Sequence, residues 1–187
     1  MLLPPAQDWL PVSKQAKDVA AVDSLCVGCG LCCDGTLFSR VIATAEEQDE
    51  LRPLGFTFDT HSDGICFAQP CRASVGGLCT IYPNRPSNCR KYRCALLERV
   101  EDSEITAKEA RATIEEAFRL IKNVEDRYPG ARNREKRILL RASLAADLDK
   151  LPLSDRIPLA EGLLALVALD ALLDTKFRKQ GSEPGVE

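Results

Sequence analysis

The chain has 187 residues, of which 45% are hydrophobic and 28% are charged, and its formal net charge is −3. These values are typical of one soluble globular domain, or of one domain with a helical extension. The acidic balance argues against nucleic-acid binding, which needs a basic surface, and aromatic residues, at 5%, are too scarce for a base-stacking surface. We therefore expect no nucleic-acid partner.

The apolar segments indicate a cytoplasmic protein with no membrane partner. The N-terminal segment has no basic region and is interrupted by Pro4, Pro5 and Pro11, so it lacks the pattern of a signal peptide. The longest apolar stretch, 163–173, is too short to span a membrane and contains Asp170. Because disulfides do not persist in the reducing cytoplasm, clustered cysteines there are expected to bind metal or act in catalysis.

The first part of the chain is expected to be an N-terminal arm over 1–22. After the first cysteines, a mostly apolar and β-branched segment from residue 34 to residue 43 predicts a short strand or an extended crossing of the core. Thr44 and Glu47 form a capping-box pattern, which predicts a helix from about residue 45 to residue 52. That helix should end before Pro53, because the residue preceding a proline disfavours helical geometry.

Residues 56–94 show no helical periodicity and are rich in turn-forming residues. A loop-rich segment of this length needs more than an apolar core to order it. Metal coordination would supply that order, because the binding free energy becomes folding free energy. We therefore expect 23–100 to form an irregular, metal-ordered, cysteine-rich domain.

Residues 104–179 are expected to form a helical extension that packs on the cysteine-rich domain. A capping box at Thr106, followed by apolar residues at three- and four-residue spacing, predicts a helix that ends at Pro129. A second helix is predicted from about 132 to 149. The residues expected on its apolar face are Ile138, Ala142, Ala145 and Leu148.

The C-terminal helix is predicted from about 158 to 178, after a break between Pro152 and Pro158. It is apolar on nearly all sides, which indicates a central position in the helical bundle or an oligomer interface. Residues 180–187 are expected to be a disordered tail. The predicted fold is therefore mainly α, with an irregular cysteine-rich domain followed by an antiparallel helical segment.

All nine cysteines lie between Cys26 and Cys94. The first four occur in the sequence C-V-G-C-G-L-C-C, and its C-x2-C-x2-C part resembles the run that holds three corners of an iron–sulfur cube. Separated C-x2-C pairs are more usual for zinc, so this spacing favours an iron–sulfur cluster, a [4Fe–4S] cluster first, over zinc. Cys32 and Cys33 are adjacent and point in different directions, which suits two metals, or one ligand and one neighbouring thiol.

Basic residues surround the last cysteines. Four thiolates leave about two uncompensated negative charges around a divalent metal, and a low-dielectric interior requires that they be offset. Arg85 and Arg90 are the candidates for this role, as hydrogen-bond donors to cysteine sulfur; the alternative is that they are solvated surface charges.

The segment from roughly residue 26 to residue 97 resembles the CxxCxxCC cysteine-cluster family, also called YkgJ-like, which is described as chelating zinc or iron. The family begins with C-x2-C-G-x-C-C, continues with a middle cysteine, and ends with C-x-I-Y-x2-R-P-x2-C-R and a further cysteine. The matching residues are Cys26, Cys29, Gly30, Cys32, Cys33, Cys79, Ile81, Tyr82, Arg85, Pro86, Cys89, Arg90 and Cys94.

Cys71 matches the middle cysteine of the family better than Cys66 does, because its interval to Cys79 is closer to the pattern. Cys66 is then a spare ligand or a buried thiol. The resemblance implies that the metal ligands are Cys26, Cys29, Cys32, Cys33, Cys71, Cys79, Cys89 and Cys94.

The sequence predicts a bacterial, cytoplasmic protein that holds one or two cysteine-ligated centres. Two alternatives stay open: a zinc-stapled interaction module whose C-terminal helix binds a partner or a second copy, and a cluster-bearing subunit of a redox or protein-modifying enzyme. Homologous domains occur alone in bacteria and within flagellin lysine N-methylases, so the family does not fix one activity. No self-contained catalytic motif accompanies the cysteines.

Overall fold

The computed structural model describes residues 25–148 and 150–179, which fold mainly into α-helices with two small sheets. The strands are β1 (Arg40–Ile42), β2 (Asp59–His61), β3 (Gly64–Ala68), β4 (Ser74–Val75) and β5 (Leu78–Cys79). The helices are α1 (Ala45–Leu51), α2 (Ser87–Lys91), α3 (Ala95–Glu101), α4 (Ala107–Arg127), α5 (Arg134–Leu148) and α6 (Leu153–Lys176). The mainly α fold is confirmed, whereas the predicted N-terminal arm over 1–22 and the predicted tail over 180–187 lie outside the described residues.

The first sheet has the strand order β1-β3-β2, with both pairings antiparallel. Its register places Val41 opposite Phe67. These two side chains share a small apolar core with Leu51 of α1 and with Phe56, and the Phe56 and Phe67 rings meet edge to face at 5.1 Å. The capping box predicted at Thr44 begins α1, so this helix and the strand before it are confirmed.

The second core joins the first cysteine loop to the helices. Leu31 and Leu37 of the loop are buried together with Ile121 of α4 and with Leu166 and Leu173 of α6. Because residues of the cysteine-rich segment and of the helical extension share this core, each side depends on the other for its burial.

The predicted helix α4 is confirmed, since its capping box at Thr106 and its end before Pro129 are both present. The predicted apolar face of α5 is wrong. Ile138, Ala142 and Ala145 are exposed, and the one fully buried residue of this helix is Arg137.

The Arg137 side chain is buried because its guanidinium group has polar partners inside the protein. Its Nε donates to Asp170 Oδ1 of α6 at 2.7 Å, and its Nη2 donates to the carbonyl oxygen of Thr36 at 3.0 Å. A guanidinium satisfied in this way can be buried, whereas an unpaired one could not. This ion pair therefore fixes α5 against both α6 and the cysteine loop.

The predicted break before the C-terminal helix is also wrong. The helix α6 begins at Leu153 and includes Pro158 in its second turn, where proline removes a backbone hydrogen bond without ending the helix. One face of α6 packs on α4 and α5. Its other face leaves Leu153, Ile157 and Leu164 exposed.

The segment 56–94 contains more regular structure than its lack of periodicity predicted. It includes four short strands and α2, and α3 follows directly. These strands have two to five residues and these helices five and seven, so they are too short for a 3.6-residue repeat to be visible. No helix in the described ranges has the length and hydrophobicity that spanning a bilayer requires.

Candidate metal centre

The first cysteine loop follows a tight path that depends on glycine. Gly28 and Gly30 adopt positive φ angles of 92° and 66°, which side chains with a Cβ rarely reach. The N–H of Cys33 donates to the carbonyl oxygen of Gly30 at 2.8 Å, which closes a turn. Leu31, with no exposed surface, anchors the loop in the helical core. The anchored turn holds Cys29 and Cys32 against the helical core.

The next two cysteines dock on this loop through the backbone. The N–H of Cys71 donates to the carbonyl oxygen of Cys33 at 2.6 Å. Cys79 lies in the hairpin formed by β4 and β5, whose turn residue Gly77 packs on Gly30, so closely that a Cβ on Gly30 would lie 3.5 Å from Gly77 Cα. The small residues therefore let two backbone segments meet where the cysteines converge.

Two short helices position the last cysteines. The helix α2, which carries Cys89, is held by Glu47 and Asn88: Ser87 N donates to Glu47 Oε1 at 2.6 Å, and Asn88 Nδ2 donates to the carbonyl oxygen of Ile42 at 2.9 Å. Cys94 is the N-cap residue of α3.

Eight of the nine cysteines line one cavity of about 420 Å³. They are the eight ligands that the sequence predicted: Cys26, Cys29, Cys32, Cys33, Cys71, Cys79, Cys89 and Cys94. The eight cysteines from Cys29 onward carry free thiols, so disulfides do not compete for their sulfur atoms. Cys66 lies apart, buried in β3, where its thiol donates to the carbonyl oxygen of Gly64.

The thiols along the cavity divide into two groups according to the charges that act on them. Set A contains Cys26, Cys29, Cys32 and Cys94. Burial raises the pKa of Cys29 to about 12, and the charges of Cys94 and Cys26 add to this effect. Burial, followed by Cys94, Cys29, Cys33 and Cys26, raises the pKa of Cys32. Burial and then Cys26 raise the pKa of Cys94, while the N–H groups at the start of α3 act in the opposite direction.

Set B contains Cys33, Cys71, Cys79 and Cys89. Burial raises the pKa of Cys89 to about 12, and the charges of Cys33, Cys71 and Cys79 raise it further. Burial raises the pKa of Cys33 to about 11, with added contributions from Cys71 and Cys79. The packing agrees with this division: Cys29, Cys32 and Cys94 contact the helical core, whereas Cys71 and Cys89 contact the small core beneath the first sheet.

The two sets meet at the peptide bond between Cys32 and Cys33. Among the principal charge effects on these thiols, that of Cys33 on Cys32 is the one that crosses from one set to the other. Across 25–148 and 150–179, no three His, Cys, Asp or Glu side chains converge in a geometry that could hold a metal ion. Closing either set around a metal would therefore require its side chains to turn inward.

Arg85 is the cation whose charge acts on the thiols of set B. Its charge lowers the pKa of both Cys33 and Cys89 against the larger effect of burial. Its guanidinium stacks on the ring of Tyr82, with Cζ 3.9 Å from the ring centroid. The Nε atom is buried and finds no hydrogen-bond partner in the described part of the chain. A buried donor left over beside four thiols fits an additional acceptor at this site.

Arg90 lies in a different environment from Arg85. Its side chain is exposed, and its charge is among those that lower the pKa of Glu47, against the larger opposing effect of burial. Of the two predicted arginines, only Arg85 lines the thiol cavity.

Sequence reasoning missed Phe177, the residue that follows α6 and lies at the thiol cavity. Phe177 lines the cavity and is 1% exposed, and its carbonyl oxygen accepts from the N–H of Ala95, next to Cys94, at 3.0 Å. Arg178 follows it. Some eighty residues separate these positions from the last cysteine, so no spacing pattern could connect them.

The comparisons with known proteins agree with the cysteine pattern. Residues 25–116 match the model of the CxxCxxCC family, which is described as a "Putative zinc- or iron-chelating domain". No curated protein and no solved structure matches the chain.

Proposed function

We propose that this chain, which matches the CxxCxxCC family model over residues 25–116, binds two metal centres, one in set A and one in set B. The observation that carries the proposal is the convergence of eight cysteines on one cavity, where members of set A pack on the helical core and members of set B on the small core beneath the first sheet. Four thiolates complete a tetrahedral zinc site, and they also complete the ligation of an iron–sulfur cube. Cys66 belongs to neither centre.

We favour iron–sulfur clusters, [4Fe–4S] first, with zinc as the next candidate. In set A, Cys26, Cys29 and Cys32 supply the C-x2-C-x2-C run, and Cys94 supplies the fourth ligand from a distant segment, which is the arrangement common to such cubes. Set B draws its four cysteines from four separate places in the chain, an arrangement that suits either metal.

Arg85 is the residue that offsets the charge of a metal-loaded set B. Its unpartnered Nε and its effect on Cys33 and Cys89 support this role. Outer partners of this kind orient the ligands and typically change metal affinity about 10- to 100-fold. Arg90 stays a weaker candidate, because its side chain is exposed and the charge it acts on is that of Glu47.

The free thiols support a cytoplasmic setting for the protein, and the family resemblance supports a bacterial one. Free thiols at eight cysteines suit a reducing compartment, where metal ligation persists and disulfides do not. Which larger activity the centres serve, including a role as a subunit of a redox or protein-modifying enzyme, depends first on the identity of the metal.

The test is metal and acid-labile sulfide analysis of protein purified without air, together with its visible absorption spectrum. We expect two centres in the parent protein and one in each of two double variants, Cys29→Ser with Cys94→Ser and Cys33→Ser with Cys89→Ser. Iron with equimolar sulfide would establish clusters, and zinc without sulfide would establish structural sites. A folded parent protein with neither metal would overturn the proposal, and so would one double variant that loses all metal while the other loses none.

A second candidate function is binding of a protein partner, or of a second copy, through α6. Leu153, Ile157 and Leu164 lie on one side of this helix and are 75%, 61% and 67% exposed. The molar mass of the metal-loaded protein, measured by light scattering, tests self-association. A monomer at all concentrations would remove the homodimer from consideration.

A further inference from the structure

The end of α6 contacts both of the segments that carry set A. The carbonyl oxygen of Phe177 accepts from Ala95 N, the first residue of α3, and Cys94 is the N-cap of that helix. The next residue, Arg178, donates from Nη2 to the carbonyl oxygen of Thr36, at 3.4 Å, on the segment that follows the first cysteine loop. One turn of the C-terminal helix therefore bridges the two parts of the chain whose cysteines form set A.

One hydrogen-bond donor of Arg178, its Nε, is not used by the described residues. Its side chain is only 14% exposed, and its Nε is buried with no hydrogen-bond partner among the described residues. Arg85 is in the same condition beside set B. A buried N–H without a partner costs free energy, so its persistence next to the segments that carry set A fits an acceptor that is present when the site is in use.

Tyr92 links this end of the chain to set A. Its side chain lines the thiol cavity, and its hydroxyl donates to the carbonyl oxygen of Phe177 at 3.5 Å. Asp174, which is 59% exposed, pairs with Nη1 of Arg178. Solvent screens this ion pair, whereas an acceptor at the buried Nε would be screened less.

We propose that Arg178 is the positioning and charge-compensating residue of set A, as Arg85 is of set B. The inference rests on the proposed function. It assigns a role in metal binding to the segment that follows α6, which lies outside the family segment at 25–116. Each centre then has one arginine: Arg85 for set B, from the loop after β5, and Arg178 for set A, from the residues just after α6.

The experiment uses the two double variants above in the full chain, each retaining one set, and titrates Co²⁺ into metal-free protein under anaerobic conditions. Sulfur-to-cobalt charge-transfer bands report thiolate ligation. With set A alone, Arg178→Gln should weaken Co²⁺ binding about tenfold, and Arg178→Lys should recover part of the loss because it restores the charge. With set B alone, Arg178→Gln should have no effect and Arg85→Gln should cause the tenfold loss.

Asp174→Asn separates charge compensation from simple bracing. If Arg178 acts through its charge, removing the competing carboxylate should leave Co²⁺ binding to set A unchanged or tighter. If Arg178 only braces the helix end, the loss of its ion pair should weaken binding, and that result would overturn the inference. Equal losses from Arg178→Gln in both backgrounds, or no loss with set A, would also overturn it. Parent double variants that bind no Co²⁺ would instead refute the proposed function.

Discussion

Raising the pH should tighten metal binding steeply, because burial raises the pKa of cavity thiols and a metal binds only their thiolate form. Burial raises the pKa of Cys29 and Cys89 to about 12 and that of Cys33 to about 11. A metal binds thiolates, so filling one set releases about four protons below about pH 8. The apparent affinity should then rise about 10⁴-fold per pH unit, which is roughly 5.4 kcal/mol at 1.36 kcal/mol per tenfold step.

The range above pH 9 distinguishes the folded site from a flexible chain of cysteines. Ordinary thiols titrate near pH 8.5, so zinc binding to an unfolded chain would stop depending on pH above about pH 9. Three thiols of each set have raised pKa values: Cys29, Cys32 and Cys94 in set A, and Cys33, Cys71 and Cys89 in set B. Cys29, with a pKa of about 12, and Cys33 and Cys89, with pKa values of about 11 and about 12, stay protonated at about pH 10, so the slope there should be about one proton or more per metal in set A and about two or more in set B.

The assay is competition for Zn²⁺ between the protein and a chelator of known pH dependence, carried out on the variant that retains set A and on the one that retains set B. Removing one further thiol, as in Cys32→Ser with set A, should lower the slope by one proton. A slope of two or less below pH 8 would mean that fewer than four thiolates bind. Loss of the slope at pH 9 would mean that the thiols are not buried as described.

Three further changes test the surroundings of the site. Cys66→Ala should leave the metal content unchanged and lower thermal stability slightly, whereas loss of a centre on elemental analysis would make Cys66 a ligand. Arg137→Met should lower the free energy of unfolding in urea by about 1–3 kcal/mol, because it removes the closer of the two arginine partners of buried Asp170 and leaves Arg141 in place; a change below about 0.5 kcal/mol would show that the pair contributes little. Gly162→Ala should destabilise the protein by about 1–3 kcal/mol, because the added Cβ would lie 1.9 Å from the Tyr128 hydroxyl. This effect should outweigh the better helix propensity of alanine, and a rise in the melting temperature would contradict the packing.

The parts of the fold that the sequence predicted well are those with local signals. The capping boxes at Thr44 and Thr106 each specify a helix start through side chains three residues apart, and Pro129 sets the end of α4. The packing of α5 was mispredicted because Arg137 reads as a surface residue until its partner Asp170 is known. That partner lies 33 positions away, and no short-range pattern connects the two.

The cysteines could be identified as candidate ligands from their spacing, but their division into two sets could not. Cys32 and Cys33 are neighbours in the sequence and face different sets, and each set is completed by cysteines from other segments. The separation of Cys71 from Cys66 likewise depends on the strand pairing that buries Cys66 in β3. Pairing between strands distant in sequence is a tertiary property, so spacing alone leaves such choices open.

The two sets rest on different apolar cores, and this gives metal binding a structural consequence. Cys29, Cys32 and Cys94 pack against the helical core, whereas Cys71 and Cys89 pack against the small core beneath the first sheet. The Cα atoms of Cys32 and Cys33 are about 3.8 Å apart across their peptide bond, so two centres would be joined where the two cores meet. The core beneath the first sheet is small, and small cores commonly need a metal or another staple for stability. Loading both sets would therefore stabilise the junction of the cores, in addition to each site.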